Sequence, residues 1–119
     1  EMLLVLESGR YIRPHRNRIS SKSFHMLEGV MDVLWFEESG VFLGCVRIGE
    51  RGSGHAFSVR LGRDVFNCVI VRSEKAVYLE TLVGTPPATE WAYWAPDPAA
   101  PEVAEYSSNL DRLVRAQLG

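Results

Sequence analysis

The stretch Phe24-His-Met-Leu-Glu-Gly-Val-Met-Asp-Val-Leu-Trp-Phe-Glu-Glu-Ser-Gly-Val-Phe-Leu-Gly-Cys-Val-Arg-Ile48 sets the pattern of the chain. An apolar block meets a turn made of acids, serine and glycine, and a second apolar block follows. Gly40, after two acids and a serine, predicts a hairpin between Trp35-Phe36 and Val41-Phe42. Working outward, blocks of the same kind recur at Met2–Glu7, His55–Leu61, Val65–Arg72 and Ala76–Val83. Turn residues separate them: Glu7-Ser-Gly, the glycine-rich 49–54 and Ser73-Glu-Lys, the last two read as hairpin loops. Short blocks at this spacing predict an all-β domain, an antiparallel sandwich or barrel over residues 1–83.

Beyond Val83 the texture changes. Residues 84–101 carry five of the six prolines, together with Trp91, Tyr93 and Trp94. Proline cannot donate to a sheet ladder, so 84–107 is expected to be an arm rather than a strand. Its three large aromatics are expected to clamp it to the β domain. The end of the chain, 108–119, predicts a helix. Leu110, Leu113, Val114 and Leu118 share one face, Ser108 suits the N-cap, Asp111 the first turn and Gly119 the stop. The three segments make a single domain.

Composition narrows the function classes. The 119 residues carry 13 Lys+Arg against 15 Asp+Glu, a net charge of -2 that gives no electrostatic reason to expect nucleic acid or an anionic membrane as partner. No apolar run approaches the ~18 residues of a membrane span, and no secretory signal is present. Glu1 stands at the mouth of an apolar run, so an upstream segment is expected. Cys45 and Cys68 sit inside strand-like blocks at no zinc spacing, and read as reduced core thiols of a cytoplasmic protein. No phosphate-binding glycine loop, Ser-His-Asp signature or paired-carboxylate motif stands out.

The chemistry-bearing stretch is Gly9-Arg-Tyr-Ile-Arg-Pro-His15-Arg-Asn17, with Lys22, Gly29 and the run Val59-Arg-Leu-Gly62-Arg-Asp-Val-Phe-Asn67-Cys-Val-Ile70. It resembles the two motifs of the cupin family. Tyr11-Ile-Arg-Pro-His-Arg, Phe24–Gly29, Leu34-Trp-Phe-Glu-Glu-Ser-Gly and Tyr93-Trp-Ala-Pro look like the small WbuC-like cupins that accompany surface-polysaccharide clusters. The resemblance covers roughly residues 1–97. It implies a cupin, or jelly-roll, barrel, whose metal is held by two histidines, a glutamate and a third histidine. On those positions this sequence has His15, Asn17, Lys22 (Ser21 in a shorter register) and Asn67. One imidazole, two carboxamides and a cation make a poor set for a divalent transition metal. The resemblance therefore implies a cupin that has lost its metal, with no cofactor.

The remaining candidates follow from that placement. Arg13, His15, Asn17, Lys22, Arg60 and Asn67 are expected to line a ligand pocket. His15, with Tyr11 or Lys22, is the candidate acid–base group. A register slip of one would instead turn Lys22 out to the rim. His25 and His55 read as surface or wall residues. The function expected is a binding or accessory module for a saccharide or nucleotide sugar. A sugar isomerase or epimerase, metal-dependent or acid–base, and a structural dimerising domain remain as alternatives. The apolar helix face and aromatic arm favour a homodimer.

Overall fold

The computed structural model describes residues 1–83 and 89–119. Nine strands and one helix follow in chain order: β1 (Met2–Glu7), β2 (His15–Arg16), β3 (Lys22–Glu28), β4 (Val30–Phe36), β5 (Phe42–Gly49), β6 (Ser58–Leu61), β7 (Phe66–Val71), β8 (Lys75–Leu82), β9 (Glu90–Trp91) and α1 (Val103–Leu118). A four-stranded sheet runs β1-β8-β3-β6 and a five-stranded sheet runs β5-β4-β7-β2-β9, every ladder antiparallel. Each sheet keeps two edges, so the domain is a pair of open sheets where a closed barrel was one expectation. Among the described residues no helix is long and apolar enough to cross a membrane.

Residue parity builds two cores. On β4, Met31 and Val33 face the other sheet and share a core with Phe24, Met26, Ala76 and Tyr78 of that sheet and Ile48 and Val69 of their own. Their neighbours Leu34 and Phe36 face the opposite way, against Phe66, Cys68, Ala92, Ala95, Leu110 and Val114. The five-stranded sheet is thus covered on both faces, by the second sheet and by α1 with its arm. Both cysteines are free and buried on the helix side.

Gly40 makes the expected hairpin between β4 and β5, with φ 99° and its N–H donated to the Glu37 carbonyl. The other two expected hairpins are crossovers. Residues 49–54 carry the chain from β5 in one sheet to β6 in the other, and Ser73-Glu74 carries it from β7 to β8. A turn signal marks a reversal of the chain and does not say which sheet receives the next strand. The 24–36 block is likewise two strands in two sheets, broken at Gly29. There φ is 86°, and a Cβ would run into the Lys75 carbonyl.

The C-terminal region departs further from its expected boundaries. Helix α1 begins at Val103, five residues before the expected start, with Glu102 and not Ser108 at its N-cap. Tyr106 packs on the sheet-helix core, so the first turn is held by tertiary contact that an apolar spacing starting at Leu110 does not reveal. Leu110 and Val114 are buried while Leu113 and Leu118 stay exposed. Gly119 is the C-cap, its N–H bonded to the Arg115 carbonyl. Asp111 lies mid-helix and pairs with Arg72 of the sheet side and with Arg115. The arm, expected to hold no strand, contributes β9, which pairs with β2. Of its three aromatics Trp94 packs against Phe36 and Phe66, with its indole N–H donated to the Glu38 carbonyl, and Trp91 lies against His15 and Arg13. Trp91 and Tyr93 are exposed. Residues 84–88, part of the expected arm, lie outside the described residues.

Candidate functional site

The inner face of the sandwich carries a polar cluster at one end of its apolar core. His15 on β2 is paired in register with Asn67 on β7, and both belong to the five-stranded sheet. Lys22 opens β3 in the facing sheet, two residues before the buried Phe24, so parity turns it inward. Its side chain is 5% exposed. The slipped register, with Lys22 at the rim, is not the one adopted. Lys22 Nζ lies 3.1 Å from His15 Nε2, 3.4 Å from Asn67 Oδ1 and 3.6 Å from Glu80 Oε1. Lysine carries three N–H donors, and these three acceptors surround it.

The hydrogen bonds assign the proton positions. His15 Nδ1 stands 2.8 Å from the Arg13 carbonyl, which can only accept. Nδ1 therefore carries the hydrogen, and Nε2 presents its lone pair to Lys22. Asn67 Nδ2 donates to the carbonyls of His15 (3.2 Å) and Val65 (2.9 Å), which turns Oδ1 to the amine. Burial, and then the neighbouring Lys22 charge, push the His15 pKa down to about 4 against the opposing backbone hydrogen bond. Burial also pulls the Lys22 pKa below its usual value, and the Glu80 carboxylate resists that pull. At neutral pH the His15 imidazole is neutral, with its lone pair facing the buried amine.

Of the six residues expected to line a pocket, the fold brings His15, Lys22 and Asn67 together. Asn17 is buried nearby but is not among the partners of the amine. Arg13 turns to the arm instead, donating to the Ala92 carbonyl and lying 3.7 Å from Asp97, because Pro14 separates it from the two-residue strand β2. Arg60 is exposed on the outer face of its sheet and bonds Ser21. Tyr11 belongs to the helix-side layer, its hydroxyl donated to the Pro96 carbonyl and its pKa pushed up to about 12 by burial. It does not reach His15 as an acid–base partner. His25 is half-buried with its ring against Phe57, and His55 is exposed.

Two residues of the site were not found by sequence reasoning. Glu80 shares the inward parity of Ala76 and Tyr78 on β8, and that alternation was the available signal. Trp91 lies with its ring 5.5 Å from the His15 ring and is 54% exposed, so a half-exposed indole stands against the buried cluster. The β2–β9 pairing that brings it there joins residues 76 positions apart, His15↔Trp91, and leaves no local trace.

The donor set does not fit a divalent metal. The imidazole lone pair and the amide oxygen both already address a cation, the lysine amine, and Glu80 is the only carboxylate there. Among the described residues no group of three or more His, Cys, Asp or Glu is arranged to hold an ion. No family model matches the chain, and no curated protein matches it.

Proposed function

We propose that the chain is a WbuC-like jelly roll of cupin type in which the Lys22 ammonium occupies the place of the metal, and that it is a binding or accessory module for a saccharide or nucleotide sugar. The fold part of this reading is supported by the strand order: β1-β8-β3-β6 facing β5-β4-β7-β2 is the order two interleaved Greek keys would give. The observation that carries the functional part is the convergence of His15 and Asn67 on the Lys22 amine, three positions that the cupin resemblance implies. A tethered cation keeps the imidazole and amide oriented without an ion. Trp91 beside them offers a flat face to a sugar ring, whose hydroxyls can both donate to and accept from such a cluster. Binding is favoured over acid–base catalysis because an imidazole with a pKa near 4 is a weak base at neutral pH. The same reading takes the protein as cytoplasmic and homodimeric, the apolar Leu3, Val5 and Leu27 standing exposed on the four-stranded sheet. Light scattering at a single-chain 13.4 kDa at high concentration rejects the dimer.

The test of the tethered cation is a zinc and nickel titration by calorimetry at neutral pH. The parent is expected to show no stoichiometric site. The variant Asn17→His, Lys22→Glu, Asn67→His is expected to gain one, because the cation is replaced by a carboxylate and two imidazoles join His15. Equal behaviour of the two proteins means that the four positions do not share a centre. The ligand is tested separately, by Trp fluorescence of the parent and Trp91→Ala against a panel of hexoses and nucleotide sugars. Quenching in the parent alone supports the reading, and none in either rejects it.

A further inference from the structure

The Lys22 cluster has a short element across its outer side. Strand β9 is Glu90-Trp91, at the edge of the five-stranded sheet, and its ladder to β2 consists of His15↔Trp91 and Arg16↔Glu90. Trp91, His15 and Lys22 stand in a row: the two rings are 5.5 Å apart, and His15 Nε2 lies 3.1 Å from the amine. Asn67 and Phe24, which face the amine from other sides, are both buried. A molecule that approaches the amine from the β9 edge therefore meets Trp91 first and His15 second.

Trp91 is not held there by its own burial, since it is half in water. A two-residue ladder on a sheet edge adds little, and such segments open at low cost. On the C-terminal side the segment is fixed by Ala92, which is buried and donates its N–H to the Pro14 carbonyl. On the N-terminal side it is fixed by charge. Glu90 accepts from Arg16 Nε (3.1 Å) and Nη2 (2.7 Å), and from Arg18 Nε (2.7 Å) and Nη2 (3.3 Å). Arg16 follows His15 in the chain, and it also holds Glu38, lies 3.5 Å from Asp64 and stacks on Phe66. Loss of Glu90 thus leaves the buried Arg16 charge paired, and the segment can be released without stranding a charge in the core. We infer that Glu90-Trp91 is a strap that closes the Lys22 cluster from solvent, with Glu90 as its catch on Arg16 and Arg18. The strap regulates access to the cluster, and its purpose rests on the reading of that cluster as a binding site.

The test is reductive methylation of the folded chain with formaldehyde and a borane at neutral pH, read by peptide mass spectrometry. The chain has two lysines, and the exposed Lys75 is the internal standard for Lys22. In the parent Lys22 is expected to react at least about tenfold more slowly than Lys75, because its rate follows the open population. Glu90→Ala and Trp91→Ala are each expected to raise the Lys22/Lys75 ratio about tenfold, the scale of one charge-assisted pair. Ile48→Val, at the opposite edge of the same sheet, lowers global stability and is expected to leave the ratio unchanged. Equal rates for the two lysines in the parent overturn the closure. An unchanged ratio in either strap variant overturns the strap, and an equal rise in Ile48→Val shows labelling through global unfolding and overturns it too. If Glu90→Ala does not fold, Trp91→Ala decides. No sugar enters the experiment, so the strap and the saccharide reading can each fail without the other.

Discussion

The sheet-helix core buries Asp32, and also Arg16 against Phe66, while the inter-sheet core buries Lys22; Asp32 and Lys22 are satisfied in different ways. In the sheet-helix layer Asp32 is 0% exposed and held by two arginines, Arg47 with both of its oxygens (2.7 and 3.0 Å) and Arg72 at 2.6 Å. Arg72 continues to Asp111 and so ties the helix to the sheet. In the inter-sheet layer Lys22 has two neutral acceptors and one carboxylate, at 3.1–3.6 Å. Planar forks on a carboxylate fix geometry and charge together. A point charge among soft acceptors is held loosely, and its pKa and that of His15 are free to move. The first arrangement serves the fold. The second has the character of a site.

The largest expected effect breaks the first centre. Asp32→Ala removes the shared anion and leaves Arg47 and Arg72 facing each other. Denaturant unfolding is expected to show a loss of about 4 kcal/mol, a large share of the stability of a small domain. A loss under 1 kcal/mol would mean that the pair is relieved by water and is not a structural clamp.

Next comes pH, acting on the second centre. His15 titrates near 4 in the folded chain and near 6.5 when unfolded. Between those values the unfolded chain binds more protons, so stability rises with pH across the window and is lost as pH falls from 6.5 to 4. The loss assigned to this group is about 3 kcal/mol. It is read as the difference between the parent and His15→Gln, each unfolded at pH 7 and at pH 4. Parallel pH profiles for the two proteins would remove His15 from the account. Lys22, whose pKa burial also lowers, acts with the same sign, stability rising with pH up to its unfolded value.

The smallest effect on stability carries the sharpest information. Lys22→Met exchanges a buried amine for an apolar chain of similar length but leaves Glu80, His15 Nε2 and Asn67 Oδ1 without their donor, and the variant is expected to lose about 2 kcal/mol. The His15 pKa, read by NMR titration, is expected to rise from about 4 but to remain below 6.5. The neighbouring charge is then gone while burial, the larger cause, persists. An unmoved His15 would show that the amine beside it carries no charge in the parent.

What was legible in the sequence follows from what is local. Apolar blocks became strands because alternation is written into five or six successive residues. The resemblance to cupin motifs pointed to His15, Lys22 and Asn67, and the fold brings those three together. The partners that complete both charged centres were not legible. Glu80 reaches Lys22 and Arg72 reaches Asp32 through pairings between strands far apart in the chain, while Arg47 stands opposite Asp32 across the β4–β5 hairpin, where only the exact register brings them together. The crossover at Ser73-Glu74 resembled a hairpin because turn residues encode reversal and not destination. Arg13 was misplaced by assuming an extended strand through Pro14, where the ladder begins only at His15.

The register of the first strand has a consequence for how the chain is made. Met2 pairs with Glu80 and Glu7 with Lys75, so among the described residues β1 finds its one neighbour strand near the far end of the β region. At ~5–20 residues per second of synthesis, β1 waits on the order of ten seconds for β8 to be made. Through that interval Leu3, Val5 and Leu6 have no partner strand. Long-range closure of this kind folds slowly and leaves sticky edges in the open. Newly made chains are therefore expected to depend on dilution or a chaperone for their yield, whatever the stability of the finished domain.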